Sequence, residues 1–174
     1  YGLIYDKRNS FYKPTSGYRT SFRQDLPMIS DTAEITNTLN YTKYTILNQN
    51  SNMVGKANFL FQTVNSLKSS DVRISKRAQV PYSKLRGFER GGIGPVDNNL
   101  DHIGGNYVSA VNLSSSLPQI FTTVENVDFS YFVDIANVWG VDFDDNINNS
   151  NYIRTSTGIG LDLLTPIGPL SFSI

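Results

Sequence analysis

Apolar and polar side chains alternate with a period of two along much of this chain, in segments of about 9–13 residues. The clearest segment is 152–164. One set of its alternate positions holds Ile153, Thr155, Thr157, Ile159, Leu161 and Leu163, and the other holds Arg154, Ser156, Gly158, Gly160 and Asp162. The same pattern occurs at 17–26, 32–42, 53–63 and 127–139, and less clearly at 105–117. Successive side chains of a β-strand point to opposite faces, so the pattern predicts an all-β protein with two differently solvated faces.

Two architectures share this pattern: a soluble β-sheet domain used for binding, and an antiparallel transmembrane β-barrel. The segments are longer than the roughly 5–6 residues typical of soluble strands and match the roughly 9–11 that a tilted strand needs to cross a bilayer. Short connections near 48–50, Pro118 and 166–169 alternate with long ones at 66–103 and 140–151. This layout favours the membrane barrel, with the soluble domain as the alternative.

The composition argues against several classes of function. Fifteen basic and fifteen acidic residues cancel, so a nucleic-acid surface is not expected. The chain has no cysteine, which excludes a thiolate metal site, and its single histidine, His102, makes a histidine-based metal cluster or a Ser-His-Asp triad hard to assemble. No run of about 18 apolar residues predicts a transmembrane helix. We therefore expect neither an enzyme nor a cofactor.

Five elements of the sequence form a recognisable series. They are Tyr5-Asp6-Lys7-Arg8 with Phe11 and Pro14-Thr15-Ser16-Gly17; Leu85-Arg86-Gly87-Phe88 with Ile93-Gly94-Pro95; Gly104-Gly105-Asn106; Phe132 to Trp139; and Ile153 to Gly160 with Thr165 to Phe172. In this order, and across nearly the whole chain, they resemble the barrel of the BamA family of outer-membrane protein assembly factors, within the bacterial surface antigen family.

The resemblance implies a fold and a function. Residues 1–174 would form a partial barrel of about seven strands, roughly strands 8/9 to 15 of sixteen, with a long extracellular loop at about 66–103 folded into the lumen. The first and last strands, which form the family's gate, and its periplasmic domains would lie outside this segment. The implied function is folding and insertion of β-barrel proteins into the bacterial outer membrane. The implied partners are the lipid bilayer, unfolded client barrels and accessory assembly lipoproteins. Related barrels for two-partner secretion or autotransporter assembly are the alternative.

The resemblance also implies a contact between the loop and the barrel wall. Arg86, in the segment Arg86-Gly87-Phe88, would pair with the carboxylate of Asp134, which alternation places on the polar face. The alternative is that Arg86 is a solvated loop arginine. A second acidic partner common in the family falls here at Ser114, so Glu89 or Asp128 are further candidate partners. The loop glycines Gly91, Gly92 and Gly94 would allow a compact, inward-folded path.

Two other groups of residues have less specific interpretations. Trp139, Tyr131 and Tyr152 fit either an interfacial aromatic girdle or plain packing on the sheet. Residues 142–146 have the oxygen spacing of a calcium loop, but Ile147 and Ile153 replace the glycine and glutamate that such a loop needs. A calcium site is therefore not expected.

Overall fold

Eight consecutive β-strands form one antiparallel sheet in the computed structural model, which describes residues 1–27, 33–68, 71–118, 127–141, 151–165 and 168–174. The strands are β1 Gly2–Asp6, β2 Gly17–Asp25, β3 Glu34–Asn48, β4 Met53–Ser66, β5 Tyr107–Ser116, β6 Val127–Trp139, β7 Arg154–Thr165 and β8 Gly168–Ser173. Each strand pairs with its neighbours in the sequence, which leaves β1 and β8 as the two edges. The predicted all-β partial barrel is confirmed. It has eight strands rather than about seven because both short end segments pair with their neighbours.

The register defines two faces, because residues directly opposite each other in an antiparallel pair lie on the same side of the sheet. One row across seven strands contains Asp6, Arg19, Thr42, Asn58, Asn112, Asp134 and Ser156. The adjacent row contains Tyr5, Thr20, Tyr41, Phe59, Val111, Ile135 and Thr155. We call the face that carries Asp134 the luminal face and the face that carries Ile135 the outward face.

The predicted faces agree with this register. In a membrane barrel the sequence alternation predicts lipid-facing positions at Phe22, Leu39, Phe59, Ile135, Ile159 and Leu161, and all six lie on the outward face. It predicts inward-facing positions at Arg23, Glu34, Asn58, Asp134 and Arg154, and all five lie on the luminal face. Large apolar side chains on the outward face remain exposed, among them Leu3, Phe22, Phe59, Ile159 and Phe172.

Connections at the two ends of the sheet differ in length. At the end we call the turn end, residues 49–52 join β3 to β4 and residues 7–16 join β1 to β2. At the opposite end, the loop end, residues 67–106 join β4 to β5 and include two short 3-10 turns, Ile74–Lys76 and Tyr82–Lys84. The calcium-like segment 142–146 lies outside the described residues. No helix in the described part of the chain is long and apolar enough to cross a membrane.

The hydrophobic core lies on the luminal face towards the loop end, where the 67–106 loop covers the strands. The strands contribute Leu60, Val64, Val108, Ala110, Ala136 and Val138, and the loop contributes Val72, Ala78, Val80, Leu85 and Ile93. The sequence alternation did not predict this core, because in a membrane barrel the polar face of alternating strands lines a wet lumen. Part of the luminal face is therefore dry, and the loop is what makes it so.

Candidate functional site

Backbone pairing within the 67–106 loop braces the loop internally near its end. Ala78 and Gly105 form an antiparallel bridge, with N···O distances of 2.8 and 3.0 Å in the two directions. At the start of the loop the Arg77 guanidinium donates to the carbonyl of Val72 at 3.2 Å and contacts a carboxylate oxygen of Asp71 at 2.5 Å. The loop is thus internally braced before it reaches the centre of the sheet.

Gly94 marks a close approach of the loop to the wall. A Cβ built on this residue would lie 2.8 Å from Cβ and Cγ1 of Val138 on β6, and its φ of +103° belongs to the left-handed region that glycine tolerates best. Gly87 also has a positive φ, +83°, but a Cβ there would meet no atom within 4 Å. Gly91 has a φ of +72°, whereas Gly92 needs no such conformation. Only Gly94 of these four is required by contact with the barrel wall.

Arg86 and Asp134 form the contact expected from the sequence. Nε of Arg86 donates to Oδ2 of Asp134 at 2.7 Å, and Nη2 donates to Oδ1 at 2.8 Å. The backbone N–H of Arg86 adds a third donor to Oδ2 at 3.2 Å. The Asp134 side chain is 0% exposed and that of Arg86 is 23% exposed. The pair is therefore a charge-assisted fork, drier than a water-filled lumen would give.

The surroundings of the fork restrict its geometry further. The Arg86 guanidinium lies 3.4 Å from the ring centroid of Phe132, two residues before Asp134 on the same face of β6. A guanidinium so close to an aromatic face gains a cation–π contribution and cannot rotate freely. Phe88, the third member of the Arg86-Gly87-Phe88 segment, is partly buried against the hydrophobic core. Contacts with the Phe132 ring, the Asp134 carboxylate and the hydrophobic core therefore hold the tip of the loop in place.

Asn112 is the neighbouring-strand partner that sequence reasoning missed. It lies directly opposite Asp134 in the register of β5 and β6, and its Nδ2 donates to Oδ1 of Asp134 at 2.9 Å and to the carbonyl of Lys84 at 2.8 Å. Ser114, the position matched to the family's second acidic partner, lies opposite Phe132 instead. An amide two residues before the matched position therefore binds both the wall and the loop backbone.

The two further candidate partners, Glu89 and Asp128, do not join this network in the described part of the chain. Gly92 N–H donates to the backbone carbonyl of Glu89 at 3.0 Å, within the loop itself. Asp128 binds Lys13 of the β1–β2 connection, with the Nζ···Oδ2 distance 2.5 Å. His102 is exposed, and its ring Nδ1 lies 3.2 Å from the carbonyl oxygen of Gly94.

Lys84 extends the contact from the loop to β4. Its ammonium group donates to Oδ1 of Asn58, and Nδ2 of Asn58 donates in turn to Oδ1 of Asn40 at 2.6 Å and to Oγ1 of Thr42 at 2.8 Å. Partial burial is the main cause that lowers the pKa of Lys84 to about 8 from its ordinary 10.5, with the nearby cations Lys56 and Arg86 acting in the same direction. The Asp134 carboxylate opposes this shift. The loop tip thus places the cations Lys84 and Arg86 against β4, β5 and β6.

A cavity of about 780 Å³ lies between the loop tip and the β1–β2 connection. Its lining includes Lys84 and Arg86 on the loop side, Lys13 on the opposite side, and Lys56, Asp128 and Asp162 on the walls. Most of its other lining residues are serine, threonine or asparagine. The luminal face therefore changes from a dry core at the loop end to a polar chamber at the turn end.

Comparison with known families identifies this arrangement. The Omp85 superfamily domain matches residues 1–174. The chain belongs to the Omp85 superfamily. Residues that sequence analysis matched to BamA are the ones that build the fork in this Omp85 chain: Arg86 on the loop and Asp134 within the Phe132-to-Trp139 strand.

A solved structure of BamA from Haemophilus ducreyi, lacking POTRA domains 1–3, is similar to this chain. The TM-score is 0.82 and the sequence identity is 29%. The match covers 99% of this chain and 37% of that one, so the chain spans just over a third of the length of the BamA structure it matches. This Omp85 chain therefore has the fold of a BamA-like barrel portion.

Proposed function

We propose that this chain forms part of an outer-membrane assembly factor, which folds and inserts client β-barrel proteins without covalent chemistry. It would supply the barrel wall opposite the gate strands and the loop that folds into the lumen. Its partners would be the outer-membrane bilayer, unfolded client barrels and accessory assembly lipoproteins. The Omp85 match, the likeness to BamA and the exposed apolar outward face support this proposal. An apolar surface of this extent suits lipid better than water, which weighs against the soluble-domain alternative.

The Arg86–Asp134 fork is the observation that carries the proposal. Insertion by strand templating requires part of the barrel to open and present backbone donors and acceptors to the client. The opposite wall must keep its shape while this happens. A loop fixed by a forked ion pair, Asn112 and a hydrophobic core braces β4 to β6 in one arrangement. We propose that this brace lets the gate strands of the complete barrel move without collapse of the wall.

The test uses the full-length protein that contains these residues, reconstituted in lipid vesicles with an unfolded client barrel. Arg86→Ala should reduce client insertion and make the loop accessible to protease, since the carboxylate of Asp134 loses its partner. Arg86→Lys should recover only part of the activity, because an ammonium group cannot reproduce both forked contacts. Arg90→Ala is the matched control, since Arg90 is an exposed arginine in the same loop. Equal insertion by all three variants would contradict the proposed brace.

A translocation barrel of the same superfamily is the second candidate, and the polar chamber of about 780 Å³ is the observation that favours it. A pore would widen this chamber into a path for an extended chain, whereas an assembly factor needs no such path. Ion conductance of the full-length protein in a planar bilayer separates the two. A large, persistent conductance together with no client insertion would favour the translocation barrel.

A further inference from the structure

Charged residues are distributed unequally between the two faces of the sheet. Every acidic residue within the eight strands lies on the luminal face: Asp6, Asp25, Glu34, Asp128, Asp134 and Asp162. The basic residues Arg19, Arg23, Lys56 and Arg154 lie there too. Lys43 on β3 is the one charged strand residue on the outward face in the described part of the chain. A single outward cation among apolar side chains calls for a physical explanation.

Lys43 belongs to a compact group of outward residues at the turn end of β1 to β3. Tyr18 lies directly opposite Lys43 in the register, and the N–H of Lys7 donates to the carbonyl of Tyr18 at 2.8 Å, which makes Lys7 the next member of that row. The next row on the same outward face carries Tyr5 and Tyr41. The two lysines are thus two strand spacings apart, about 10 Å at the backbone, with one tyrosine between them. We call these five residues the lysine–tyrosine patch.

The rings of the patch form a continuous ladder. The ring centroids of Tyr5 and Tyr18 are 5.9 Å apart, and those of Tyr18 and Tyr41 are 6.0 Å apart. The ammonium group of Lys7 lies 5.8 Å from the ring centroid of Tyr5. In the described part of the chain neither Lys7 nor Lys43 lies within ion-pair distance of a carboxylate. Both lysines are exposed. The patch therefore presents two uncompensated positive charges beside three amphipathic rings.

The position of Lys43 along β3 suits a membrane boundary. β3 contains 15 residues, more than the roughly 9–11 needed to cross the hydrocarbon region. We take Glu34, the first residue of β3, as the boundary of the hydrocarbon region at the loop end. A span of about 9–11 residues from Glu34 then ends at about residues 42–44, where Lys43 lies. Tyrosine is enriched at this depth in membrane barrels, and lysine extends from it towards the headgroups. The depth and the charge together suit a lipid phosphate.

We propose that the lysine–tyrosine patch binds the phosphate headgroup of an anionic phospholipid in the leaflet on the turn side of the barrel. This inference rests on the proposed function, because it requires the barrel to span a bilayer. Lys7 and Lys43 would contact the phosphate from two sides, and the three rings would lie along the upper part of the acyl chains. No carboxylate lies on the outward face of the described strands to repel the anion.

The experiment titrates the full-length protein in detergent with phosphatidylglycerol, and in parallel with the zwitterionic phosphatidylcholine. Native mass spectrometry gives the apparent dissociation constant for the first bound lipid. Phosphatidylglycerol should bind more tightly than phosphatidylcholine. Lys7→Gln and Lys43→Gln should each weaken phosphatidylglycerol binding by about five-fold, and the double variant by about 25-fold, with little effect on phosphatidylcholine.

Lys56→Gln is the matched control, because Lys56 lies on the adjacent strand β4 but on the luminal face. This variant removes the same charge and should keep the preference for phosphatidylglycerol. An equal loss in Lys56→Gln would reduce the effect to overall charge and overturn the inference. A wild-type protein without preference would overturn it too, and would leave an acidic segment of a protein partner as the occupant. Failure of the protein to insert into vesicles of any composition would instead contradict the proposed membrane function.

Discussion

Two aspartates on the same face of β6 have different surroundings. Asp134 is fully buried, receives a forked contact from Arg86 and a further hydrogen bond from Asn112, and lies beneath the long loop. Asp128 lies six residues earlier, about 20 Å along the strand, and is half exposed with the equally exposed Lys13 as its partner. The alternation of the sequence places both aspartates on the same face and does not distinguish their surroundings. The difference comes from what covers the wall: a packed loop at one end of the lumen and a polar chamber at the other.

This comparison predicts how much each charge pair contributes to stability. An ion pair that is withdrawn from water leaves an uncompensated charge when one partner is removed, whereas water replaces a lost partner at an exposed site. The two ends of one strand should therefore respond differently to the same substitution. Each prediction below applies to the full-length protein.

The largest effect is expected for the buried pair. Arg86→Ala should lower the free energy of unfolding by about 3 kcal/mol, since the Asp134 carboxylate would stay buried without its cation. The measurement is urea unfolding of the barrel in lipid vesicles, with heat resistance of the folded form as a second readout. In the double variant Arg86→Ala with Asp134→Ala, part of the loss should be recovered. A loss in the double variant equal to the sum of the two single losses would mean that the two residues act independently.

A smaller effect is expected where the loop backbone touches the wall. Gly94→Ala should be destabilising by about 2–3 kcal/mol, because the added Cβ collides with Val138 in addition to the strain of its positive φ. Gly87→Ala has the same kind of backbone strain but meets open space, so its cost should be only about 1 kcal/mol. Urea unfolding of both variants measures the difference. Equal costs would show that the loop does not press on the wall at Gly94.

The faces of the strands could be predicted from the sequence because alternation depends only on local geometry. Asp134 and Ile135 fall on opposite faces in any β-strand. The dry part of the lumen could not be predicted in this way. Val108 and Ala110 are luminal while Val111 and Leu113 are outward, so β5 carries apolar residues on both faces. This explains why 105–117 alternates less clearly than the other segments, and it is a local signal of the covering loop.

The components of the site were partly predictable for a similar reason. Arg86 and Asp134 were proposed from family resemblance, since nothing local links residues that are 48 positions apart. Asn112 was missed because its role depends on the register between β5 and β6, and a shift of two positions assigns Ser114 instead. Lys84 was missed because its importance comes from partial burial, which a polar loop sequence does not reveal.

Loop docking should depend on pH through Lys84. Its pKa is about 8 in the docked loop and near its ordinary value of 10.5 in an undocked, solvated loop. Between these values the undocked state binds more protons, so docking should strengthen as pH rises from about 8 towards 10.5 and be weakest below 8. Protease accessibility of the loop across this range is the measurement. Lys84→Met should abolish the dependence, and an unchanged pH profile in that variant would exclude Lys84 as its source.

The smallest effect is expected for the second aspartate. Asp128→Ala should change the free energy of unfolding by less than about 1 kcal/mol, because the Lys13–Asp128 pair is half exposed and water solvates Lys13 once the carboxylate is gone. Raising the salt concentration should weaken the wild-type pair as well, which makes the variant and the wild type converge. Asp134→Ala on the same face of the same strand is the comparison, with a cost several times larger. If Asp128→Ala proved as costly as Asp134→Ala, the chamber at the turn end would be as dry as the core beneath the loop, and the division of the lumen into two environments would be wrong.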